Sequence, residues 1–255
     1  MKTKLQKFYK LARPDGFDFY TGKTINYRES VGWDVYAPHF SETGRLCSNA
    51  FLHASRKPDQ CFIGASIPCS AYIVYGTPVL EESDKAGFEF LRIEREVKPE
   101  TLFKWDYLKA ASPLNPFTLK HGKISSKELE LLKAWDSVWN SVWDSVRDSV
   151  RDSVWNSVWN SVGNSVGNSV WNSVWNSVWN SVWNSVWDSV RDSVRDSVWA
   201  YTVSIFVPIV KDWKKTYPYQ PAVDLWNVGL VPSFDGKLWR LHGQDGILWE
   251  GELKK

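Results

Sequence analysis

One short stretch of the chain brings together residue types that could do chemistry. Residues 46–55 contain Cys47 and His53, and Cys61 follows eight residues after the histidine. A cysteine nucleophile needs a neighbouring base such as histidine, so His53 is the candidate catalytic residue. The alternative is a buried strand, in which the histidine bonds a backbone carbonyl and the cysteines pack as small apolar groups.

The other chemistry-bearing residues form no recognisable site. His39, His121 and His242 are isolated in the sequence and are predicted to lie on the surface. The three cysteines lack both CxxC spacing and a histidine pair at metal spacing, and no glycine-rich phosphate loop or Rossmann pattern occurs. The sequence therefore predicts no metal site and no cofactor, and it leaves open whether the protein is an enzyme.

Composition indicates a soluble globular protein. The chain has 255 residues, 43% of them hydrophobic, and its 31 basic and 29 acidic residues give a formal charge of +2. This near-neutral balance predicts neither a nucleic-acid nor a membrane partner. Because the cysteines form no disulfide framework and no long apolar run occurs, a cytoplasmic location is expected.

The 17 tryptophans reveal an internal repeat. From Asp136 to Trp199 the chain consists of sixteen consecutive tetrapeptides of the form [DN]SV[WRG]. Ser and Val never change, whereas the fourth position is Trp ten times, Arg four times and Gly twice. Single-base changes interconvert these variants, so a drifting tandem duplication explains their order. The invariant Ser-Val pair still requires a structural reason.

A period of four favours extended structure over one long helix. In an α-helix each copy advances by ~400°, so every position drifts by about 40° per copy and no lasting apolar face results. In extended structure every Val points to the same side, and Asp or Asn supplies the turns. The repeat therefore predicts a β-solenoid with Val inside and the variable residue outside. Sixteen copies would make four square coils, or five and a third three-sided coils.

Outward tryptophans would create a large exposed aromatic surface, which usually marks a binding face. The alternative is a self-packed ladder of indole rings with no partner. A protein partner or self-association is favoured over a glycan, because sugar platforms need few tryptophans and many polar donors. The predicted binding face comprises the ten tryptophans of the repeat: Trp139, Trp143, Trp155, Trp159, Trp171, Trp175, Trp179, Trp183, Trp187 and Trp199.

The flanking sequences predict a separate domain and two caps. The N-terminal part mixes short β-like runs with Gly and Pro turns, as an α+β domain does. Ser125 and Glu128 have the spacing of a capping box at the start of a helix. Residues 237–250 alternate around a four-residue loop as a β-hairpin. The predicted order is an α+β domain (1–112), a linker and helical cap (113–135), the β-solenoid (136–199) and a small β-rich C-terminal region (200–255).

Three family resemblances bear on fold and function. The segments 15–18, 22–24, 46–49 and 52–54, together with Pro58, resemble an uncharacterised domain of phages and gut bacteria that commonly precedes low-complexity repeat tracts. The tract itself is similar, in architecture alone, to pentapeptide-repeat proteins. Residues 51–55, Phe-Leu-His-Ala-Ser, are similar to a motif of small proteins of ADP-ribosyltransferase-like fold. This last resemblance implies a nicotinamide pocket beside His53.

Two functions follow from these observations. The first is a non-catalytic interaction or structural repeat protein, phage-associated through the first resemblance, that presents its Trp-rich face to a partner. The alternative is an NAD-using, ADP-ribosyltransferase-like enzyme with the solenoid as its docking arm. A transferase of this type needs a cleft in which an acid and a hydroxyl converge on the glycosidic bond. A buried His53 that bonds the backbone and has no cleft beside it would therefore exclude the second function.

Overall fold

The computed structural model describes residues 5–46, 48–143, 166–172, 191–210 and 217–253. These residues form an α+β structure with three small antiparallel sheets. They divide into two compact units. The first contains the described residues within Met1–Tyr107 and Val162–Ser169, and the second contains those within Leu108–Ser161 and Val170–Lys255.

The first unit is built on two antiparallel sheets. Its strands are β1 (Gln6–Ala12), β2 (Asp34–Tyr36), β3 (Leu52–Ala54), β4 (Ser70–Gly76), β5 (Leu80–Glu81), β6 (Ala86–Phe88) and β7 (Phe90–Val97). The larger sheet has the order β1-β4-β7-β2, and the smaller has the order β3-β6-β5. An isolated bridge joins Tyr9 of β1 to Ser55, the residue after β3, with N–H···O distances of 2.8 and 3.0 Å. The two sheets meet at this bridge.

The core of the first unit takes side chains from both sheets. Phe8 on β1, Phe88 on β6 and Leu91 on β7 are fully buried. The rings of Phe8 and Phe88 meet edge to face, with centroids 4.8 Å apart. Burying a large apolar side chain contributes roughly 1.5–3 kcal/mol. This shared core fixes β3 beside β1, where the candidate residue His53 lies.

Five α-helices and a third sheet complete the described residues. The helices are α1 (Tyr107–Ala111), α2 (Ser126–Trp143), α3 (residues 166–172), α4 (Arg191–Ser204) and α5 (Gln220–Asn227). The third sheet, in the second unit, has the order β10-β9-β8, formed by β8 (Val231–Phe234), β9 (Trp239–Gly243) and β10 (Gly246–Gly251). Helix α5 packs against α2, α4 and β8. In the described part of the chain, no helix combines the length and apolar character needed to cross a membrane.

Two predictions for the flanking sequences are confirmed. At the start of α2, the N–H of Ser125 donates to Oε2 of Glu128 at 2.8 Å, and the N–H of Lys127 donates to Oγ of Ser125 at 3.2 Å. Near the C-terminus, β9 and β10 pair in antiparallel fashion with Gly243 opposite Gly246. The hairpin loop therefore has two residues rather than the four predicted.

The predicted β-solenoid is wrong. Every described stretch of the repeat is α-helical: the end of α2, all of α3 and the start of α4. Each stretch covers about two copies, over which a position drifts by only ~40°. A buried helix stripe is about 100° wide, so short helices keep Val on one face although a helix of sixteen copies could not. The other repeats, 144–165 and 173–190, lie outside the described residues.

Burial in α4 follows such a stripe. Val194, Ser197, Val198 and Tyr201 have i, i+3, i+4, i+7 spacing, and each is at most 2% exposed. The hydroxyl of Ser197 donates to the carbonyl oxygen of Pro232 at 3.4 Å, so its burial leaves no polar group unsatisfied. In α4 the Ser-Val pair thus supplies part of the buried face, whereas in α2 Ser137 is exposed and Trp139 is the buried residue of the first repeat.

Ser125→Ala is expected to destabilise the second unit by about 1 kcal/mol, because it removes the hydroxyl that caps α2. Ser126→Ala is the matched control, since Ser126 is the exposed first residue of the helix. It should change the free energy of unfolding by less than about 0.5 kcal/mol. Urea unfolding monitored by circular dichroism measures both. An equal loss of unfolding free energy in the two variants would contradict the capping role of Ser125.

Candidate functional site

A cleft of about 580 Å³ lies in the first unit, next to the bridge between Tyr9 and Ser55. Strand β1, the loop that follows it, strand β3 and the 3-10 helix Pro58–Phe62 contribute to its walls. Its volume falls within the range of roughly 300–1,000 Å³ typical of small-molecule sites. The ionisable residues on its walls include Lys10, Asp18, His53, Cys61 and Lys85.

Strand β3 positions His53 in the cleft wall. Its neighbours Leu52 and Ala54 are buried in the core, so strand alternation turns His53 to the opposite face. Nε2 bonds the carbonyl oxygen of Leu46 at 2.5 Å, which requires the proton on Nε2 and leaves Nδ1 as an acceptor. Burial lowers the pKa of His53 to about 4, and the charges of Lys10 and Lys85 act in the same direction. The imidazole is therefore neutral at pH 7.

Cys61 does not form the nucleophile and base pair that the sequence suggested. Its thiol donates to the carbonyl oxygen of Tyr9 at 3.2 Å. Burial raises the pKa of Cys61 to about 12, so the sulfur stays protonated and is not a thiolate nucleophile. The other candidate, Cys47, lies outside the described residues. The geometry of His53 matches the alternative interpretation, a histidine bonded to the backbone.

The wall of the cleft also contains an acidic residue, Asp18, and a basic residue, Lys10. The carboxylate of Asp18 accepts hydrogen bonds from the N–H and the hydroxyl of Thr21, both at 2.7 Å. Burial alone would raise the pKa of Asp18, but these bonds and the charge of Lys10 hold it below its ordinary value. Nζ of Lys10 lies 5.1 Å from the ring centroid of Tyr27. Burial lowers the pKa of Lys10, although the negative charge of Asp18 opposes this.

Comparison of the chain with known protein families, with curated proteins and with solved structures finds no match. The resemblances to the phage and gut-bacterial domain and to the ADP-ribosyltransferase-like motif therefore stay predictions. Function has to be argued from the residues of the cleft.

Three of the ten repeat tryptophans have described side chains. Trp139 is 8% exposed, and its ring lies 6.1 Å from those of Trp135 and Trp239. Trp199 packs edge to face on Tyr219 at 5.1 Å, and Trp171 is half-buried. Trp139 and Trp199 thus belong to aromatic packing within the second unit. The side chains of the remaining tryptophans lie outside the described residues, where the binding face stays a prediction: Trp143, Trp155, Trp159, Trp175, Trp179, Trp183 and Trp187.

The predicted surface position of His242 is wrong. This residue, on β9, is 1% exposed, and Nε2 lies 2.7 Å from the hydroxyl of Ser233 on β8. Its Nδ1 is buried without a hydrogen-bond partner among the described residues. The surface position was predicted because His242 is isolated in the sequence, which gives no sign that β9 is the central strand of the sheet and that His242 pairs with Val231 of β8. His39 is exposed, as predicted.

Proposed function

We propose that the cleft of the first unit binds a nucleotide of the NAD class. The observation that carries this proposal is the position of His53 in the wall of a cleft of about 580 Å³. The motif at residues 51–55 implies a nicotinamide pocket at this histidine. A histidine bonded to the backbone with no cleft beside it would have argued against the proposal.

The chemistry of the cleft suits such a ligand. Nδ1 of the neutral His53 is an acceptor for an amide N–H, and the ionised Asp18 is the kind of group that binds ribose hydroxyls. Two cations, Lys10 and Lys85, outnumber the single carboxylate, which favours an anionic ligand. Tyr20, 90% exposed at the cleft, offers a ring face for stacking on a base.

The proposal concerns binding. With its thiol protonated, Cys61 supplies no nucleophile, and the hydroxyl of Thr21 is hydrogen-bonded to Asp18. Release of nicotinamide during incubation with NAD would extend the proposal to catalysis. The repeat tryptophans Trp139 and Trp199 do not favour the partner-binding function, because they pack inside the second unit.

Calorimetric titration of NAD into the full chain is expected to give a Kd below about 1 mM. His53→Ala should weaken this binding at least about tenfold, because it removes the Nδ1 acceptor and the bond that anchors the ring to Leu46. The matched control is His121→Ala, since His121 lies in the second unit and outside the cleft. It should bind NAD as the wild type does.

Two results would contradict this proposal. One is the absence of heat at millimolar NAD from a chain whose circular dichroism spectrum shows it folded. The other is equal binding by the wild type and His53→Ala.

A further inference from the structure

Lys10 lies on the face of β1 that packs toward the core. On β1 it shares a face with Phe8 and Ala12, both fully buried. Its partner across the ladder is Tyr72 of β4, also fully buried, and directly opposite residues of an antiparallel pair lie on the same face. A lysine therefore projects from the apolar face of the larger sheet into the cleft.

Nothing in the described part of the chain neutralises this ammonium group directly. Among those residues, Nζ of Lys10 makes neither a hydrogen bond nor an ion pair within 4.0 Å, and its close neighbour is the ring of Tyr27. Asp18 lines the same cleft and its charge acts on Lys10, but the two residues form no ion pair within the described part of the chain. Taking a cation out of water is costly unless it is paired, and residues that break a local rule of this kind tend to be functional. An anionic ligand in the cleft would supply the missing partner.

We propose that Lys10 is the phosphate-binding residue of the cleft, which takes a phosphoryl group of the bound nucleotide. This inference rests on the proposed function for the identity of the nucleotide, whereas the argument for an anion rests on the position of Lys10 on the inner face of β1 and on its contact with the ring of Tyr27. A phosphoryl oxygen is a strong acceptor for an ammonium donor in a partly buried site.

Nicotinamide riboside and nicotinamide mononucleotide provide a matched pair of probes, because they differ by one phosphoryl group. In titrations of the full chain followed by ligand-observed NMR, the mononucleotide should bind the wild type at least about tenfold more tightly. Lys10→Met should abolish this difference and leave riboside binding unchanged. Lys98→Met, an exposed lysine outside the cleft, should retain the difference.

Inorganic pyrophosphate separates the two proposals, since it carries no base or sugar. If pyrophosphate binds the wild type but not Lys10→Met, and neither nucleotide probe binds, the phosphate site stands and the NAD-class ligand is wrong. A mononucleotide preference that survives in a folded Lys10→Met variant would overturn the role of Lys10. Should Lys10→Met not fold, Lys10→Gln takes its place with the same expectations.

Discussion

Val198→Asp is expected to unfold the second unit. Val198 is 1% exposed on the buried stripe of α4, so the substitution places an unpaired carboxylate in the core. An uncompensated buried charge costs roughly 3–5 kcal/mol, and loss of the valine side chain adds about 1 kcal/mol. The sum approaches the entire stability of a typical small domain. Urea unfolding followed by circular dichroism measures the loss.

Arg195→Asp is the matched control for this substitution. It introduces the same side chain three residues earlier in the same helix, at an exposed position. It should cost less than about 1 kcal/mol, because exposed charges interact weakly. If the two variants lost the same free energy of unfolding, the assignment of Val198 to the buried face of α4 would be wrong.

Acidification is expected to destabilise the sheet that contains His242. Burial lowers the pKa of His242 to about 4, and the charge of Arg240 acts in the same direction. The unfolded chain, with an ordinary histidine pKa of about 6.5, takes up a proton first as the pH falls. The stabilisation is therefore complete above pH ~6.5 and is lost progressively between pH ~6.5 and ~4. The difference between the pKa values of His242 in the unfolded and the folded chain corresponds to a loss of about 3 kcal/mol in the free energy of unfolding.

His242→Gln isolates this contribution, because Gln has no charge to gain and can still bond the hydroxyl of Ser233. Hydrogen exchange at the amides of β9, measured from pH 7 to pH 4, should show a flatter loss of protection in the variant. His39→Gln, at an exposed position, should keep the wild-type profile. An unchanged profile in His242→Gln would contradict the role of the buried histidine. The lowered pKa of His53 also destabilises the folded protein as the pH falls. Because His53 is present in the wild type and in both variants, its contribution does not affect their comparison.

Local patterns were sufficient to predict some elements of the fold. The capping box at Ser125 and Glu128 and the C-terminal hairpin are each encoded within fourteen consecutive residues or fewer. The repeat was predicted incorrectly because its helical drift was judged over all sixteen copies. The length of a helix depends on what it packs against, and the tetrapeptide carries no information about α5 or β8.

The cleft could be predicted only in part. The motif at residues 51–55 identified His53, but Lys10 and Asp18 come from other segments that reach the same wall only in the folded chain. Residues 8–12 read Phe-Tyr-Lys-Leu-Ala, with apolar groups on both faces of β1, so alternation alone does not decide which face of the strand is buried. The pairing of Lys10 with Tyr72, 62 residues away, reveals that this face is the inner one.

The buried stripe of α4 has a consequence for changes in the number of repeats. Sliding the helix by one tetrapeptide would bring Val194 to the place of Val198 and would preserve the Ser-Val face. The unique residues beyond the tract prevent this slip: Tyr201 stacks on Trp226 at 5.1 Å, and the hydroxyl of Tyr217 donates to the carbonyl oxygen of Ala200 at 2.7 Å. Whole tetrapeptides inserted or deleted upstream would therefore leave the end of α4 at Tyr201 in place. The number of repeats can thus change without compensating substitutions in the C-terminal sheet.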